Sequence, residues 1–142
     1  MTRPAARGHR AAAMQPPSPR AAAFLAEPHL CTLTTLRPDS SPHVTAVRFT
    51  WDPAAGLARV LTVASSRKAR NIAWRPDGRI AVCQVAGFRW ITLEGAATAS
   101  DDPARIAEGV RHYLWRYQSV PPAPPDRVVI EIAVDRILSL NL

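Results

Sequence analysis

Thr62-Val63-Ala64-Ser65-Ser66-Arg67-Lys68-Ala69-Arg70-Asn71 joins an apolar, strand-like run (Leu57 to Val63) to a segment of helical character. It carries the single lysine, Lys68, among the 18 Lys and Arg residues of the chain. Where a strand hands over to a helix, free backbone N–H groups and the helix dipole favour an anion. Thr62, Ser65 and Ser66 add hydroxyls there. Arg67 adds a guanidinium fork, Lys68 a compact point charge, and Asn71 lies one turn on. This combination predicts a phosphate site. A solvated loop with a few charges accounts for the same residues, because short motifs match by chance.

Working outward, the apolar run Leu57–Val63 is the second half of a hairpin closed by Pro53-Ala54-Ala55-Gly56, and its first half is Pro42 to Asp52. Residues 42–52 do not alternate cleanly, which suits a strand covered on both faces. Before it come a strand over His29–Leu36 and a turn at Arg37–Ser41. Ser18-Pro19 starts a short helix to Glu27, with Ser as N-cap and Pro in the first turn. After the motif, the segment 65–74 reads as a helix ended by Arg75-Pro76-Asp77-Gly78. Strands follow over 79–85 and 88–99. Asp101 or Asp102 caps a helix with Pro103 at its first position, and Ile106, Val110, Tyr113 and Tyr117 mark its buried stripe. Pro121 to Pro125 is a stiff connector to a last strand, Asp126–Val134. The sum is mainly β (α+β): six short strands, mostly in hairpins, with two or three crossover helices, which predicts a small antiparallel barrel.

The chain has 142 residues, 47% hydrophobic and 20% charged, as expected of one globular domain. Residues 1–20, rich in Ala, Arg and Pro, read as a disordered tail ahead of a domain over 21–142, and Met14 offers a second start. A net charge of +7 and a pI of 10.9 favour anionic partners. Nucleic acid is the weakest of these, because no element outside the tail interleaves basic and aromatic residues. Cys31 and Cys83 are far apart and read as buried small hydrophobes in a reducing cytoplasm. The scattered histidines and the lack of Cys spacing argue against a metal centre, and no run is long enough to span a membrane.

With this order of elements, the chain resembles the split β-barrel family of flavin and deazaflavin enzymes, whose best-known member is pyridoxamine 5′-phosphate oxidase. Thr62 followed by Ser66-Arg67-Lys68 matches the spacing with which those oxidases hold the FMN phosphate. The chain is similar, more narrowly, to the branch that binds coenzyme F420, a deazaflavin with a phospholactyl–oligoglutamate tail, and within it to biliverdin reductases. The matching stretches are Leu33-Thr34-Thr35-Leu36-Arg37-Pro38-Asp39, Ser41-Pro42-His43-Val44, Phe49-Thr50-Trp51-Asp52, Ala58-Arg59-Val60, Arg89-Trp90-Ile91-Thr92-Leu93-Glu94-Gly95, Arg116-Tyr117 and Arg127-Val128-Val129-Ile130-Glu131. The likeness runs from about Phe24 to Leu138. One departure bears on the cofactor. The oxidases carry an Arg and a Lys on the strand before the hairpin, whereas this chain has only Arg48, which counts against FMN.

The resemblance implies a six-stranded split β-barrel of the FMN-binding, pyridoxamine 5′-phosphate oxidase-like type. It implies a homodimer with its active site at the subunit boundary, in keeping with a short chain whose strands need cover. Coenzyme F420 is the expected cofactor, with FMN as the alternative. Thr62, Ser65, Ser66, Arg67, Lys68, Asn71 and Thr45 are the expected cofactor contacts, with Trp90 reaching the ring from the other subunit or serving as a core aromatic. His43 reads as a strand histidine satisfied by local hydrogen bonds. The expected reaction is hydride transfer from the reduced deazaflavin to a conjugated anionic acceptor, biliverdin first, giving bilirubin. Such chemistry needs the ring held flat and water excluded, and no nucleophile or paired carboxylates. Arg48, Arg89 and Arg116 are the arginines expected to meet the acceptor's carboxylates; the competing and more common reading of each is a surface arginine. The rival classes are an FMN oxidase or haem-degrading relative and a non-enzymatic carrier of F420, FMN or haem.

Overall fold

The computed structural model describes residues 15–142. The expected tail therefore lies mostly outside the described residues, and its last two positions, Pro19 and Arg20, already belong to a helix. The elements are α1 (Pro19–Ala26), β1 (Cys31–Leu36), β2 (Pro42–Val47), β3 (Phe49–Asp52), β4 (Leu57–Val63), α2 (Arg67–Trp74), β5 (Arg79–Ala86), β6 (Arg89–Ser100), α3 (Pro103–Tyr117) and β7 (Arg127–Leu140). The first and third helices start as the sequence predicts, with the side chains of Ser18 and Asp102 accepting the N–H groups of Ala21 and Arg105, whereas the second starts at Arg67 and not at 65, with Ser66 as its cap accepting the Ala69 N–H.

The strands form one antiparallel sheet in the order β2-β1-β5-β6-β7-β4-β3. There are seven strands where six are expected, because the run 42–52 divides at Arg48. The cause is a change of partner. Val47 pairs with Cys31 of β1, and Phe49 pairs with Val60 of β4. These are the two ends of the sheet order, so one residue, Arg48, carries the chain from one edge to the other. The sheet must curl to allow it, which is the barrel closure. The missing alternation in the sequence has the same origin.

The last strand also runs to Leu140, past the expected end at Val134. A bulge between Glu94 and Gly95 admits the extra residue Asp135 and lets pairing resume at Glu94↔Arg136. A Cβ on Gly95 would lie 1.9 Å from the Ala133 carbonyl oxygen, so glycine alone fits there. The barrel interior holds Phe24 and Leu25 of α1 with Leu33, Phe49, Val60, Val82, Ile91, Leu93, Ile130 and Ile132, all essentially inaccessible to solvent. Cys31 is buried, but Cys83 points to the opposite sheet face and is only half-buried.

Helix α3 lies outside this core, against β3, β4 and β7. Its backbone comes close to the sheet at Gly109, where a Cβ would lie within 3.1 Å of Leu61 and 3.2 Å of Val129. The predicted stripe Ile106, Val110, Tyr113 and Tyr117 faces the sheet yet is only half-buried; the fully buried positions are Gly109 and Arg116. Among the described residues no helix is long and apolar enough to cross a membrane.

Candidate anion site at the strand-to-helix junction

Ser66 is the N-cap of α2, with φ −65° and ψ 151°. Its hydroxyl oxygen accepts the Ala69 N–H at 3.3 Å and the Thr62 hydroxyl at 3.2 Å. Two acceptances leave the Ser66 proton free to donate outward. The Arg70 amide is used by the Ser66 carbonyl, so the Arg67 and Lys68 amides remain as the orphan donors of the first turn. The Lys68 stem is half-buried, and burial pushes its ammonium below the ordinary lysine value. Neither Arg67 nor Lys68 has a carboxylate within 4.0 Å among the described residues. Ser65 turns the other way, donating to Asp126 at 3.4 Å. That bond and Ala64 N–H to Asp126 O pin the loop to the start of β7.

Beside this junction lies a cavity of about 340 Å³, walled by β2, β4, α3 and the proline connector. Thr62, Lys68, Arg48, Tyr113 and Arg127 line it with apolar residues, and among the described residues the lining holds three cations and no carboxylate. Arg48 donates to the Tyr113 hydroxyl at 2.9 Å, and Arg127 to the Pro122 carbonyl at 2.9 Å. Arg127 and Tyr113 were not among the expected site residues. The signal for Arg127 is its register opposite Val63, which becomes readable only once β4 and β7 are known to pair.

Other expected contacts lie elsewhere. Asn71 is buried, donates to Thr35 Oγ1 at 2.9 Å and braces α2 on β1. Arg116 is buried too. It donates to the carbonyl oxygen of Glu27 at 2.5 Å, the Tyr117 hydroxyl at 2.6 Å, Gln84 Oε1 at 2.5 Å and the Phe49 carbonyl oxygen. It staples α3 to α1, β3 and β5, and it does not line the cavity beside Lys68. Arg89 grips Glu27 with bonds of 2.9 and 3.1 Å and stacks 4.5 Å from the Phe24 ring. These bonds hold the Glu27 carboxyl below its ordinary value. Arg89 is thus a tie between α1 and β6 outside the cavity. Thr45 does not line the cavity either; it shares a face of β2 with His43 and Val47. Nor is His43 locally satisfied: its buried Nδ1 has no partner among the described residues. Trp90 stands between Val85 and Leu140 on the open sheet face.

A second group of charges sits under the first half of α3. Arg59 donates to Asp52 at 2.8 Å and to Glu131 at 3.4 Å, and Arg105 donates to Glu131 at 2.6 Å. Burial raises the Asp52 carboxyl, but its hydrogen bonds from Arg59 and Ala55 and the charges of His112 and Arg59 outweigh it, leaving the group below its ordinary value. The fold also brings Asp52, Glu108 and His112 within 4.8 Å of one another, a convergence that the scattered histidines did not foretell. Both carboxylates there already hold guanidiniums, Arg59 and Arg111.

Comparison with known proteins bears on the family and the fold. A relative in Mycobacterium tuberculosis, an F420H2-dependent biliverdin reductase, is 46% identical over 118 residues, covering 83% of this chain and 84% of the relative. A solved structure titled F420 reductase superposes with a TM-score of 0.64 at 26% identity, over 82% of this chain and 94% of that one. A conserved hypothetical protein of Mycobacterium tuberculosis superposes with a TM-score of 0.71 at 25% identity, over 84% and 81% of the two chains. The family model described as pyridoxamine 5′-phosphate oxidase matches residues 18–141. With the match spanning nearly all the described residues, the chain belongs to the pyridoxamine 5′-phosphate oxidase family.

Proposed function

We propose that the protein is an F420-dependent reductase that passes a hydride to a conjugated anionic acceptor, with biliverdin, reduced to bilirubin, as the substrate. The observation that carries this reading is the pair Arg67–Lys68: two cations without a carboxylate at the head of α2, beside orphan amides and a carboxylate-free cavity. This donor set fits a phosphodiester. The cavity volume falls within the range of small-molecule sites. The 46% identity to an F420H2-dependent biliverdin reductase supports the deazaflavin over FMN.

Bound F420H2 supplies the hydride from its ring. The chain's task is to hold and shield. Lys68, Arg67 and the Ser66 hydroxyl fix the phosphate. Val47, Val60 and Leu61 offer apolar surface, and the prolines 121, 122 and 124 make a stiff wall that excludes water. Among the described residues the lining has no thiol and no imidazole, in keeping with a transfer that needs no protein nucleophile.

The same reading includes a homodimer. The outer face of β5, β6 and β7 leaves Val85, Leu138 and Leu140 exposed, and Phe88 at the β5–β6 turn is 89% exposed. Apolar surface of this kind is covered in a stable protein by a partner. A second copy seated here buries Trp90 and lets it approach the other subunit's cofactor. Unpaired Cys31 and Cys83 suit a reducing cytoplasm.

Titrating the protein with F420 and, separately, FMN while following tryptophan emission tests the cofactor, with quenching by F420 at the lower concentration expected. Anaerobic mixing with F420H2 and biliverdin is expected to bleach the biliverdin band and yield bilirubin. Tight F420 binding without bleaching rejects biliverdin and retains the cofactor. A monomer by light scattering at micromolar concentration rejects the dimer.

A further inference from the structure

Arg48 is the one residue between β2 and β3, at the seam where the barrel closes. It is exposed, and among the described residues it has no carboxylate within 4.0 Å. By contrast, Arg59, Arg79, Arg89, Arg105, Arg111 and Arg136 each face one. Yet Arg48 is not loose. One terminal nitrogen donates to the Tyr113 hydroxyl at 2.9 Å. The guanidinium carbon lies 5.9 Å from the Tyr113 ring centre and 5.1 Å from that of Tyr117. Those rings are themselves fixed, 4.8 Å apart and tilted by 47°. The Tyr117 hydroxyl donates to the Phe49 carbonyl at 2.6 Å and accepts from the buried Arg116. Burial pushes the Tyr117 phenol up to about 12, so that donor stays protonated.

A guanidinium held by two aromatic rings, with nitrogens left over and no acid opposite, is a preorganised anion receptor. Its planar fork matches a carboxylate. Its position separates it from the phosphate cradle. Arg48 adjoins Phe49, whose partner is Val60 in the middle of β4, whereas Arg127 pairs with Val63 at the strand's end, and Lys68 lines the same cavity. Three residues of strand span roughly 10 Å.

We infer that Arg48, clamped by Tyr113 and Tyr117, is a carboxylate-binding subsite for the proposed reaction, set about 10 Å along the cavity from the phosphate position. The inference rests on the F420 reading above. Two parts of the reacting assembly carry carboxylates: the acceptor's propionates and the cofactor's glutamyl tail. The chemistry at Arg48 is the same for both, so the test separates them.

Arg48→Gln is the main variant, and Tyr113→Phe keeps the ring while removing the hydroxyl that aims Arg48. Two preferences are measured in the wild type and both variants: KM for biliverdin against its dimethyl ester, and Kd for F420 with and without its glutamates. If the acceptor supplies the carboxylate, Arg48→Gln raises KM for biliverdin roughly tenfold and leaves the ester unchanged, with kcat nearly constant. Tyr113→Phe moves KM the same way by a smaller factor. If the tail supplies it, Arg48→Gln weakens tailed F420 to the level of the tailless form and leaves the acceptor preference intact. Either result supports the subsite and names its ligand. Both preferences unchanged in Arg48→Gln overturns it, as does a wild type without either preference. Lys68→Ala is the control on the underlying reading: unchanged F420 affinity there rejects the cofactor assignment, whatever Arg48 does. Arg48 is exposed, so the folded state of its variant, checked by circular dichroism, is expected to be intact.

Discussion

Helix α3 borders two collections of positive charge that behave in opposite ways. Under its first half, Arg59 is 6% exposed and bonded to Asp52 and Glu131, whose side chains are 11% and 6% exposed. Near its end, Lys68, Arg48 and Arg127 line a cavity with no acid among them. The first group completes its own electrostatics. The second is left to be completed by something that binds. The difference teaches that arginine content alone says little here. Burial of a matched set stabilises α3 on the sheet, whereas unmatched cations held by hydroxyls, rings and carbonyls mark where an anion belongs.

The largest effect that sharpens this contrast is expected on the paired side. Arg59→Ala takes the guanidinium from buried Asp52 and leaves buried Glu131 with Arg105 as its remaining cation, and removing one partner of a buried pair typically costs about 3–5 kcal/mol. Urea unfolding is expected to show that loss, with F420 affinity unchanged at temperatures where the variant is folded. A loss below about 1 kcal/mol, the size expected of a surface ion pair, breaks the contrast.

On the unpaired side the expectation is reversed. Lys68→Ala removes a charged hydrogen bond to the ligand, worth about 1.5–3 kcal/mol, so F420 binding weakens roughly ten- to a hundredfold. The melting temperature without ligand stays level or rises, because a half-buried cation without a partner is lost. A fall in stability like that of Arg59→Ala places Lys68 among the structural cations.

A smaller effect comes from His112, which lies 3.3 Å from Asp52. Burial first, then Arg59 and Arg111, push its imidazole below the ordinary 6.5, and Asp52 and Glu108 only partly offset them. The unfolded chain therefore takes up the proton more readily than the folded one. The stability contributed by neutral His112 is complete above about 6.5 and is lost as the pH falls through the lower folded value. Thermal unfolding of His112→Gln is expected to lose part of the pH dependence below 6.5; an unaltered profile removes His112 from the network's titration.

The contrast explains what was legible in the sequence. Caps at Ser18 and Asp102, the hairpin turns and the Thr62–Lys68 junction are local, so residue type and spacing expose them. The split at Arg48 was hidden because its cause is a change of pairing partner across the whole sheet. For the same reason the structural bonds of Arg116 and Asn71 were hidden. Polar side chains on a short motif look available, but here long-range neighbours, Phe49 and Glu27 for one and Thr35 for the other, consume them. Arg127 was missed for the converse reason: nothing near it in sequence marks it, and only the β4–β7 register places it by the cavity.

The finest probe of the unpaired region is His43. Its Nδ1 is buried without a partner. Burial is the largest influence on its imidazole, followed by the charges of Arg37, Lys68 and Arg67, and all four push it below its ordinary value. The last two are the cations assigned to the phosphate. An anion seated on them cancels part of their field at the ring, so His43 is expected to take up a proton more readily when the site is filled. By linkage, the anion then binds more tightly as the pH falls through the His43 transition. Following the ring signal by NMR titration, with inorganic phosphate and then with F420, is expected to show the midpoint moving up toward the ordinary value in both cases. Lys68→Ala is expected to move it up without ligand and to blunt the response to phosphate. Phosphate binding that leaves the His43 midpoint where it was puts the anion elsewhere, and the cavity's cations would then need another explanation than a cofactor phosphate at the head of α2.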